Sequence, residues 1–456
     1  MIHPTTKTAR GEQIARRLPA ALAAALFAVA SAPLTHAADP PDPTFAAMLL
    51  AYQYALPVYE VARVRYALEA RGLPLNRLVH KRTLSGPNDR LVTGPNTDTL
   101  YSIALLDLSH GPVRVDVPDT HDRYYSISLI DAYTNDFAYI GRRTTGTKAG
   151  SYLIEGPKDS AAPPAGLPVI GAPTPQVLLL VRVLLMGPDD LDAAHKLQDG
   201  FHVTPLGPPA SEPKPATPTP DDGEAFVAVV DQAMAENPPP KADAPMLARI
   251  AAVGVGPGAP PLTPALRQAW NSEFKQVEHA FLTRAKAAGA ARTVNGWTSK
   301  PMAVGDFGTN YALRAVVALS GLFAGTPQEN MSFVVRTDAD GAPLDPHHRY
   351  RLRLPAQMPV DGFWSLSVRD LEPDGRAYIV DNPIHRYEIG DRTPGLRRNA
   401  DGSLDIWIQH DPPPDDWKSN WLPIPDGPFH IAMRDYQPRP ELLDGRFHFA
   451  AVQRVD

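Results

Sequence analysis

The β-rich fold of this 456-residue chain is indicated by two short stretches of sequence, Tyr125-Ser-Ile-Ser-Leu-Ile-Asp131 and Trp364-Ser-Leu-Ser-Val-Arg-Asp370. In each stretch an aromatic or aliphatic residue alternates with serine. Successive side chains of a β-strand point to opposite faces, so one face of each strand is apolar and the other carries hydroxyl groups. The sequence therefore predicts a β-strand at both places.

The two stretches begin a longer internal repeat. Three further matches follow in the same order, pairing 138–140 with 377–379, 141–146 with 390–395, and 150–154 with 402–406. We interpret this as one β unit used twice, and such units close as sandwiches or jelly rolls. The alternative is coincidence, since alternation and Gly-x-Arg-Thr turns recur in many β proteins.

Other segments add strands and a few helices. Alternating or apolar runs predict strands at 113–117, 177–185, 350–354 and 404–408. A helical pattern runs from Thr44 to about residue 71, where Pro57 is expected to kink or split it. Thr263 and Pro264 have the chemistry of an N-cap and first helical position for a helix to about residue 288. The predicted class is α+β, mainly β, with two related β-sandwich (jelly-roll-like) units and accompanying helices.

The same patterns predict the domain order. A leader (1–37) precedes an N-terminal helix with the first β-rich domain (38–202). A Pro-rich linker (203–222), a helical segment (223–330) and the second β-rich domain (331–456) follow.

Composition excludes several classes of function. The net charge of −6 is spread along the chain, with no basic run of the kind that nucleic-acid binders carry. Cysteine is absent, which excludes disulfides, thiolate nucleophiles and a lipoprotein anchor. No nucleic-acid partner is expected.

The N-terminus has the pattern of a signal peptide. Arg10, Arg16 and Arg17 precede an apolar stretch over 18–32, and Thr35-His-Ala37 offers small residues for cleavage. Cleavage near Ala37 would give a periplasmic or secreted protein whose mature chain does not insert into a membrane. An uncleaved anchor or a mistaken start codon is the alternative.

The motifs resemble a known pair of domains. The first half carries Gly94-Pro-Asn-Thr-Asp-Thr-Leu-Tyr-Ser102, Arg123-Tyr-Tyr125 and Gly141-Arg-Arg-Thr-Thr-Gly146, and it resembles the domain of unknown function 1254. The second half carries Phe363-Trp-Ser365, Asn382-Pro383, Arg386-Tyr387, Asn420-Trp-Leu-Pro423 and Leu443-Asp-Gly445, and it resembles the domain of unknown function 1214. The resemblance implies two β-sandwich parts with helices. It implies no agreed reaction.

The densest polar cluster in the sequence lies before the first repeat strand. We assign candidate catalytic roles to Asp98 and Tyr101, as proton acceptor and donor, and candidate ligand-binding roles to four neighbours: Asn96, Thr99, Arg123 and Tyr124. Pro95 and Asn96 predict a turn, after which Asp98 or Thr99 would cap a short helix through Tyr101. We expect Asp98, Tyr101 and Arg123 to meet at a cavity. The alternative is a capped turn and a purely structural ion pair.

The second half contributes two further candidate ligand-binding residues, Trp364 and Arg386. An aromatic ring and a guanidinium suit recognition of a polyol, a carbohydrate or a carboxylate. Alternatively, Trp364 is a core residue, since it occupies the repeat position of Tyr125, and Arg386 ties loops to the sandwich. No metal or cofactor is predicted, because His347 and His348 are adjacent in an extended segment and point to opposite faces.

These observations leave two classes of function open. The standard hydrolase, metalloprotease and nucleotide-binding signatures are missing. The leading hypothesis is an exported protein with a pocket for a small polar molecule at the domain junction, with hydrolysis as its reaction if it is an enzyme. The alternative is a non-catalytic periplasmic binding or envelope-associated protein. The oligomeric state is not predicted.

Overall fold

The first alternating stretch lies within a two-sheet sandwich. The computed structural model describes residues 42–90, 93–157, 166–209, 223–287, 292–372 and 376–456. The strands of the first half are β1 (Val79–His80), β2 (Thr99–Asp107), β3 (Val113–Val117), β4 (Tyr125–Asp131), β5 (Asp136–Gly141), β6 (Gly150–Glu155), β7 (Val169–Gly171), β8 (Gln176–Leu184) and β9 (His202–Pro205). They form two sheets of order β1-β2-β8-β4-β5 and β7-β6-β3-β9.

The second half repeats this arrangement. Its strands are β10 (Thr293–Val294), β11 (Trp297–Ser299), β12 (Asn330–Val335), β13 (Tyr350–Leu354), β14 (Trp364–Leu371), β15 (Ala377–Ile379), β16 (Ile389–Gly390), β17 (Leu404–Gln409), β18 (Trp421–Pro423), β19 (Phe429–Tyr436) and β20 (Gln453–Arg454). One sheet has the order β10-β11-β12-β19-β14-β15, with β16 also paired to β14, and the other has the order β18-β17-β13-β20.

The strand orders confirm the predicted duplication. The run β2-β8-β4-β5 corresponds to β12-β19-β14-β15, and β7-β6-β3-β9 corresponds to β18-β17-β13-β20. Even the parallel pairs agree, since β6 with β7 and β17 with β18 are both parallel while their neighbours are antiparallel. The two serine-rich stretches, β4 and β14, occupy equivalent places. The fold is therefore two related β-sandwich units with accompanying helices.

Helices cover part of the first sandwich and form a core of their own. They are α1 (Pro43–Ala70), α2 (Leu191–Asp199), α3 (Gly223–Glu236), α4 (Ala244–Ile250), α5 (Pro264–Ala287), α6 (Tyr311–Ser320) and α7 (Pro440–Leu443). Helix α5 begins as predicted, because the Thr263 hydroxyl accepts the Leu266 backbone N–H at 3.2 Å. Helix α1 is continuous through Pro57, so the proline does not split it, and the expected kink stays a prediction. Burial of most of its surface against α3, α5 and α6 offsets the hydrogen bond that proline removes.

The short helix expected to end at Tyr101 is also absent. The segment from Thr99 to Tyr101 is the start of strand β2, not a short helix. Its alternating residues pair along β8, from Thr99 opposite Leu184 to Asp107 opposite Gln176, and this pairing overrides the local turn chemistry.

Residues Pro43–Asp456 form one compact unit. Residues 1–41, which include the predicted signal peptide, and residues 210–222, most of the predicted Pro-rich linker, lie outside the described residues. Within the described part of the chain, no helix has the length and apolar character needed to cross a bilayer.

Candidate functional site

The hydroxyl faces of the two repeat strands are buried against the opposite half of the molecule. Tyr125 and Trp364 lie in the two sandwich cores, so the alternate residues Ser126, Ser128, Ser365 and Ser367 point away from those cores. All four serines are nevertheless buried. The outer faces of the two sheets therefore enclose a polar layer. We call its side chains the interface cluster: Asp98, Tyr101, Tyr124, Ser126, Ser128, Asp136, Tyr139, Arg182, Lys300, Glu329, Asn330, Ser365, Ser367, Arg369, Glu388, Arg392, Arg434 and Tyr436.

Direct hydrogen bonds join the halves across this layer. The Tyr124 hydroxyl donates to Glu329 at 2.8 Å, and Arg143 Nε donates to the second oxygen of the same carboxylate at 2.6 Å. From the second half, the Arg434 guanidinium donates to the carbonyls of Gly94 at 2.6 Å and Pro95 at 3.1 Å. These contacts keep the two β units in one arrangement.

Asp98 lies at one end of the cluster with a side chain that has no exposed surface. It accepts hydrogen bonds from Ser365 Oγ at 2.7 Å and from Arg392 at 2.6 Å. Glu388 lies 3.5 Å from the same Arg392 nitrogen. Burial, followed by the charge of Asp98, raises the pKa of Glu388 to about 8, so this second carboxyl is mainly neutral at pH 7.

The predicted contact between Asp98 and Arg123 is wrong. Arg123 pairs with Asp190, with one contact of 2.6 Å, and also donates to the Leu184 carbonyl at 2.9 Å. The reason is strand pairing: β4 runs beside β8, which places Arg123 next to the chain that leaves β8. The cation that serves Asp98 is Arg392, from the other half.

The remaining first-half candidates lie in or beside the cluster. Asn96 forms the predicted turn, since its side-chain oxygen accepts the N–H groups of Asp98 and Thr99, and its amide nitrogen donates to the Tyr436 hydroxyl. Thr99 is fully buried, and Tyr101 is half-buried, with its ring centroid 5.6 Å from the Arg182 guanidinium.

The second-half candidates lie elsewhere. The Trp364 side chain packs in the core of the second sandwich, at the repeat position of Tyr125. Arg386 donates to the carbonyls of Lys418 at 2.7 Å and Trp421 at 2.9 Å, so it ties one loop to another. Neither side chain belongs to the interface cluster.

The sequence reasoning missed three arginines that face the layer: Arg182, Arg369 and Arg434. Each lies in a strand that is buried along most of its length, and a charge in a buried strand was the available signal. Arg182 and Arg434 are repeat equivalents, since Ser126 lies opposite Arg182 and Ser365 lies opposite Arg434.

These three guanidinium groups have only neutral hydrogen-bond partners among the described residues. Arg182 donates to Ser128 Oγ at 2.9 Å and Arg369 Nε donates to Ser367 Oγ at 3.1 Å, while Arg434 contacts backbone carbonyls. The two terminal nitrogens of Arg369 are buried and have no described partner at all. The polar layer therefore carries more positive than negative charge.

The other end of the cluster holds an acid, a phenol and an amine. Lys300 Nζ donates to the Gly325 carbonyl at 2.9 Å, and the Tyr139 hydroxyl accepts the Thr326 N–H at 2.9 Å. Asp136 lies against Gly305, where an added Cβ atom would be 2.7 Å from Asp136 Oδ2. Burial raises the pKa of Asp136 to about 7.

The histidines do not assemble a metal site in the described part of the chain, where no group of three or more His, Asp or Glu side chains has the geometry to hold a metal ion. His347 Nδ1 lies 2.7 Å from Asp345, whereas His348 Nδ1 lies 3.4 Å from Asp456. The two neighbouring rings thus turn to different carboxylates.

Two family models match the chain. "Protein of unknown function (DUF1254)" matches residues 75–205, and "Protein of unknown function (DUF1214)" matches residues 329–440. The chain belongs to the DUF1254/DUF1214 family. The first model spans the first sandwich from the chain before β1 to the end of β9, and the second spans β12 to β19.

Two solved structures resemble this DUF1254/DUF1214 protein. The VPA0106 protein of Vibrio parahaemolyticus has a TM-score of 0.67 at 22% identity, covering 91% of this chain and 100% of that one, and shows the same fold. A putative uncharacterized protein from Burkholderia cenocepacia has a TM-score of 0.45 at 13% identity, covering 91% of each chain. No curated protein matches the sequence.

Proposed function

We propose that this protein is exported and binds a small anionic molecule in the interface cluster. The observation that carries the proposal is Arg369, which is 2% exposed and has two terminal nitrogens without a described partner. A buried guanidinium without a counter-charge is strongly unfavourable, and a carboxylate or phosphate group matches its fork of donors. Burial, followed by the charge of Arg434, lowers the pKa of Arg369 to about 9, and Glu388 and Asp98 oppose this shift.

The accessibility of the cluster supports a ligand site over a sealed core. Arg182, Lys300, Arg434 and Tyr101 are half-buried, and the Glu388 side chain keeps 22% of its surface. Burial is nevertheless the largest cause of the lowered pKa of Lys300 and of the raised pKa of Glu388. This combination is expected where solvent reaches a narrow gap between two walls, and junctions between domains are common places for ligand sites.

Replacing Arg369 distinguishes an anion-binding role of this side chain from a structural role. We expect Arg369→Met to raise the melting temperature, because replacing an unpaired buried charge with an apolar side chain of similar volume stabilises by about 1–4 kcal/mol. The same change should abolish the stabilisation that small carboxylates or inorganic phosphate give the wild type in thermal denaturation, confirmed by calorimetric titration.

Arg353→Met is the matched control. Arg353 pairs with Asp401 at 2.7 Å on the protein surface, so its loss should leave both the melting temperature and anion binding nearly unchanged. If Arg369→Met destabilises the protein and no anion stabilises the wild type, the proposed function is wrong.

Hydrolysis is the second candidate, and one contact favours it. Ser102 Oγ lies 2.7 Å from His80 Nδ1, which is the hydroxyl–imidazole contact that a hydrolase would use. Ser102 is only 1% exposed and also accepts the Gln198 amide at 3.1 Å. Because the hydroxyl is covered, we place binding ahead of hydrolysis. Loss of esterase activity in Ser102→Ala, with an unchanged fold, would reverse that order.

A further inference from the structure

Three side chains of the interface cluster converge on one backbone segment, Gly325–Thr326. Lys300 Nζ donates to the Gly325 carbonyl at 2.9 Å, and the Tyr139 hydroxyl accepts the Thr326 N–H at 2.9 Å. A Cβ atom built on Gly305 would lie 2.7 Å from Asp136 Oδ2 and 3.0 Å from the Thr326 side chain. The Asp136 carboxyl group and Thr326 therefore both lie close to Gly305.

Two polar side chains beside this segment have atoms that lack hydrogen-bond partners among the described residues. Asp136 is 8% exposed, and neither of its carboxyl oxygens completes a hydrogen bond with a described residue, although Tyr139 is near enough to lower its pKa. The Asn330 amide nitrogen is also buried without a described partner, while its oxygen lies 3.4 Å from Lys300 Nζ. Buried polar groups are normally satisfied, so water or a ligand must complete these bonds.

Burial brings the pKa values of the amine and of the acid close together. Burial lowers the pKa of Lys300 to about 7, with Arg182 and Arg434 adding to the effect and Asp136 opposing it. Desolvation together with neighbouring cations is the arrangement that turns a lysine into a nucleophile at neutral pH. Burial also raises the pKa of Asp136 to about 7, so this group can hold or release a proton in the same range.

We propose that Lys300 is a nucleophile that condenses with the carbonyl group of a small 2-oxo acid, while the arginines of the interface cluster hold the carboxylate of that acid. This inference rests on the proposed anion site and names the class of its ligand. Arg182 and Arg434, whose charges act on Lys300, match the carboxylate, and the amine and carboxylic acid match the adjacent carbonyl.

The amine, the carbonyl group and the Asp136 carboxylic acid supply every electron pair and proton that the condensation needs. The Nζ lone pair forms a bond to the carbonyl carbon, the C=O π electrons move to oxygen, and a proton passes from nitrogen to that oxygen. The Asp136 carboxylic acid then gives its proton to the hydroxyl group, which leaves as water while the C=N bond forms. A protonated imine and the Asp136 carboxylate remain as a neighbouring ion pair.

Reductive trapping tests this step directly. The full-length protein is incubated with pyruvate and sodium cyanoborohydride near pH 7.5, and adducts are located by peptide mass mapping. We expect modification of Lys300 at least about tenfold faster than of Lys148, an exposed lysine that pairs with Asp119. Lys300→Met should remove the fast adduct, Lys148→Met should not, and Asp136→Asn should slow it about tenfold with pyruvate binding retained.

The outcomes separate this inference from the proposed function. If Lys300 reacts no faster than Lys148 while pyruvate stabilises the wild type and not Arg369→Met, the anion site holds and the nucleophile is refuted. If pyruvate neither stabilises nor modifies the protein, this inference is refuted, and failure of the whole anion panel refutes the anion site as well. The comparison within the wild type stays decisive even if Lys300→Met does not fold.

Discussion

The carboxylate of Asp98 is held by side chains 267 and 294 positions later in the chain, Ser365 and Arg392. A fully buried carboxylate is stable only with such partners. Asp98 thereby links the end of the first-half turn to the second sandwich. It is a charged contact between the two halves whose strength can be measured.

Removing that charge should destabilise the protein. Asp98→Asn keeps the shape but leaves the Arg392 side chain, 11% exposed, with Asp391 at 2.7 Å and Glu388 at 3.5 Å as its remaining acidic neighbours. We expect a loss of about 1–3 kcal/mol in the free energy of unfolding, measured by urea denaturation, because a hydrogen bond between charged groups is replaced by one to a neutral amide.

Asp416→Asn is the control for this measurement, because the Asp416 side chain is 79% exposed in its ion pair with Arg397. Its loss should cost less than about 1 kcal/mol. A cost for Asp98→Asn as small as that of the control would mean that the buried pair does not hold the halves together.

At the scale of the elements, the two repeat strands have the same serine alternation, and each also makes a close backbone contact with a glycine. Ser126 lies opposite Gly141, and Ser365 lies opposite Gly390. A Cβ atom on Gly141 would be 2.6 Å from the Tyr125 carbonyl, and one on Gly390 would be 2.5 Å from the Trp364 carbonyl. In both halves the glycine lets a neighbouring segment approach the serine-rich strand.

The same substitution at the two equivalent glycines should therefore destabilise the protein to a similar extent. Gly141→Ala and Gly390→Ala are each expected to lower the free energy of unfolding by about 1–3 kcal/mol, because the added methyl group collides with rigid backbone. Gly171→Ala is the control, since nothing lies within 4 Å of its Cβ position. A destabilisation in one half alone, measured by thermal or urea unfolding, would show that the equivalence of the two turns is superficial.

At the scale of the whole molecule, the duplication places two similar polar faces against each other. Each face brings two serines and a central arginine, so the contact doubles the positive charge instead of neutralising it. The boundaries of the linker (203–222) and of the helical segment (223–330) stay predictions. So does export, which depends on residues outside the described part of the chain.

Export has its own test. If 1–37 is a signal peptide, the exported protein should begin at Ala38, because Thr35-His-Ala37 provides small residues for cleavage. N-terminal sequencing of periplasmic or secreted protein checks this. Replacing Ala37 with a bulky residue such as Phe should block cleavage, whereas Ala38→Ser should not. Exported protein that still begins at Met1 would contradict the prediction.

The two sandwiches, their repeat, the start of α5 and the family could be predicted from the sequence alone. Each of these follows from a local pattern: period-two alternation, ordered turn motifs, or a cap followed by proline. Which charges meet depends on the tertiary structure. Asp98 pairs with Arg392 instead of Arg123 because sheet packing brings together residues hundreds of positions apart. Arg369 forms no ion pair with a described residue. Nothing in the spacing of the chain encodes that packing.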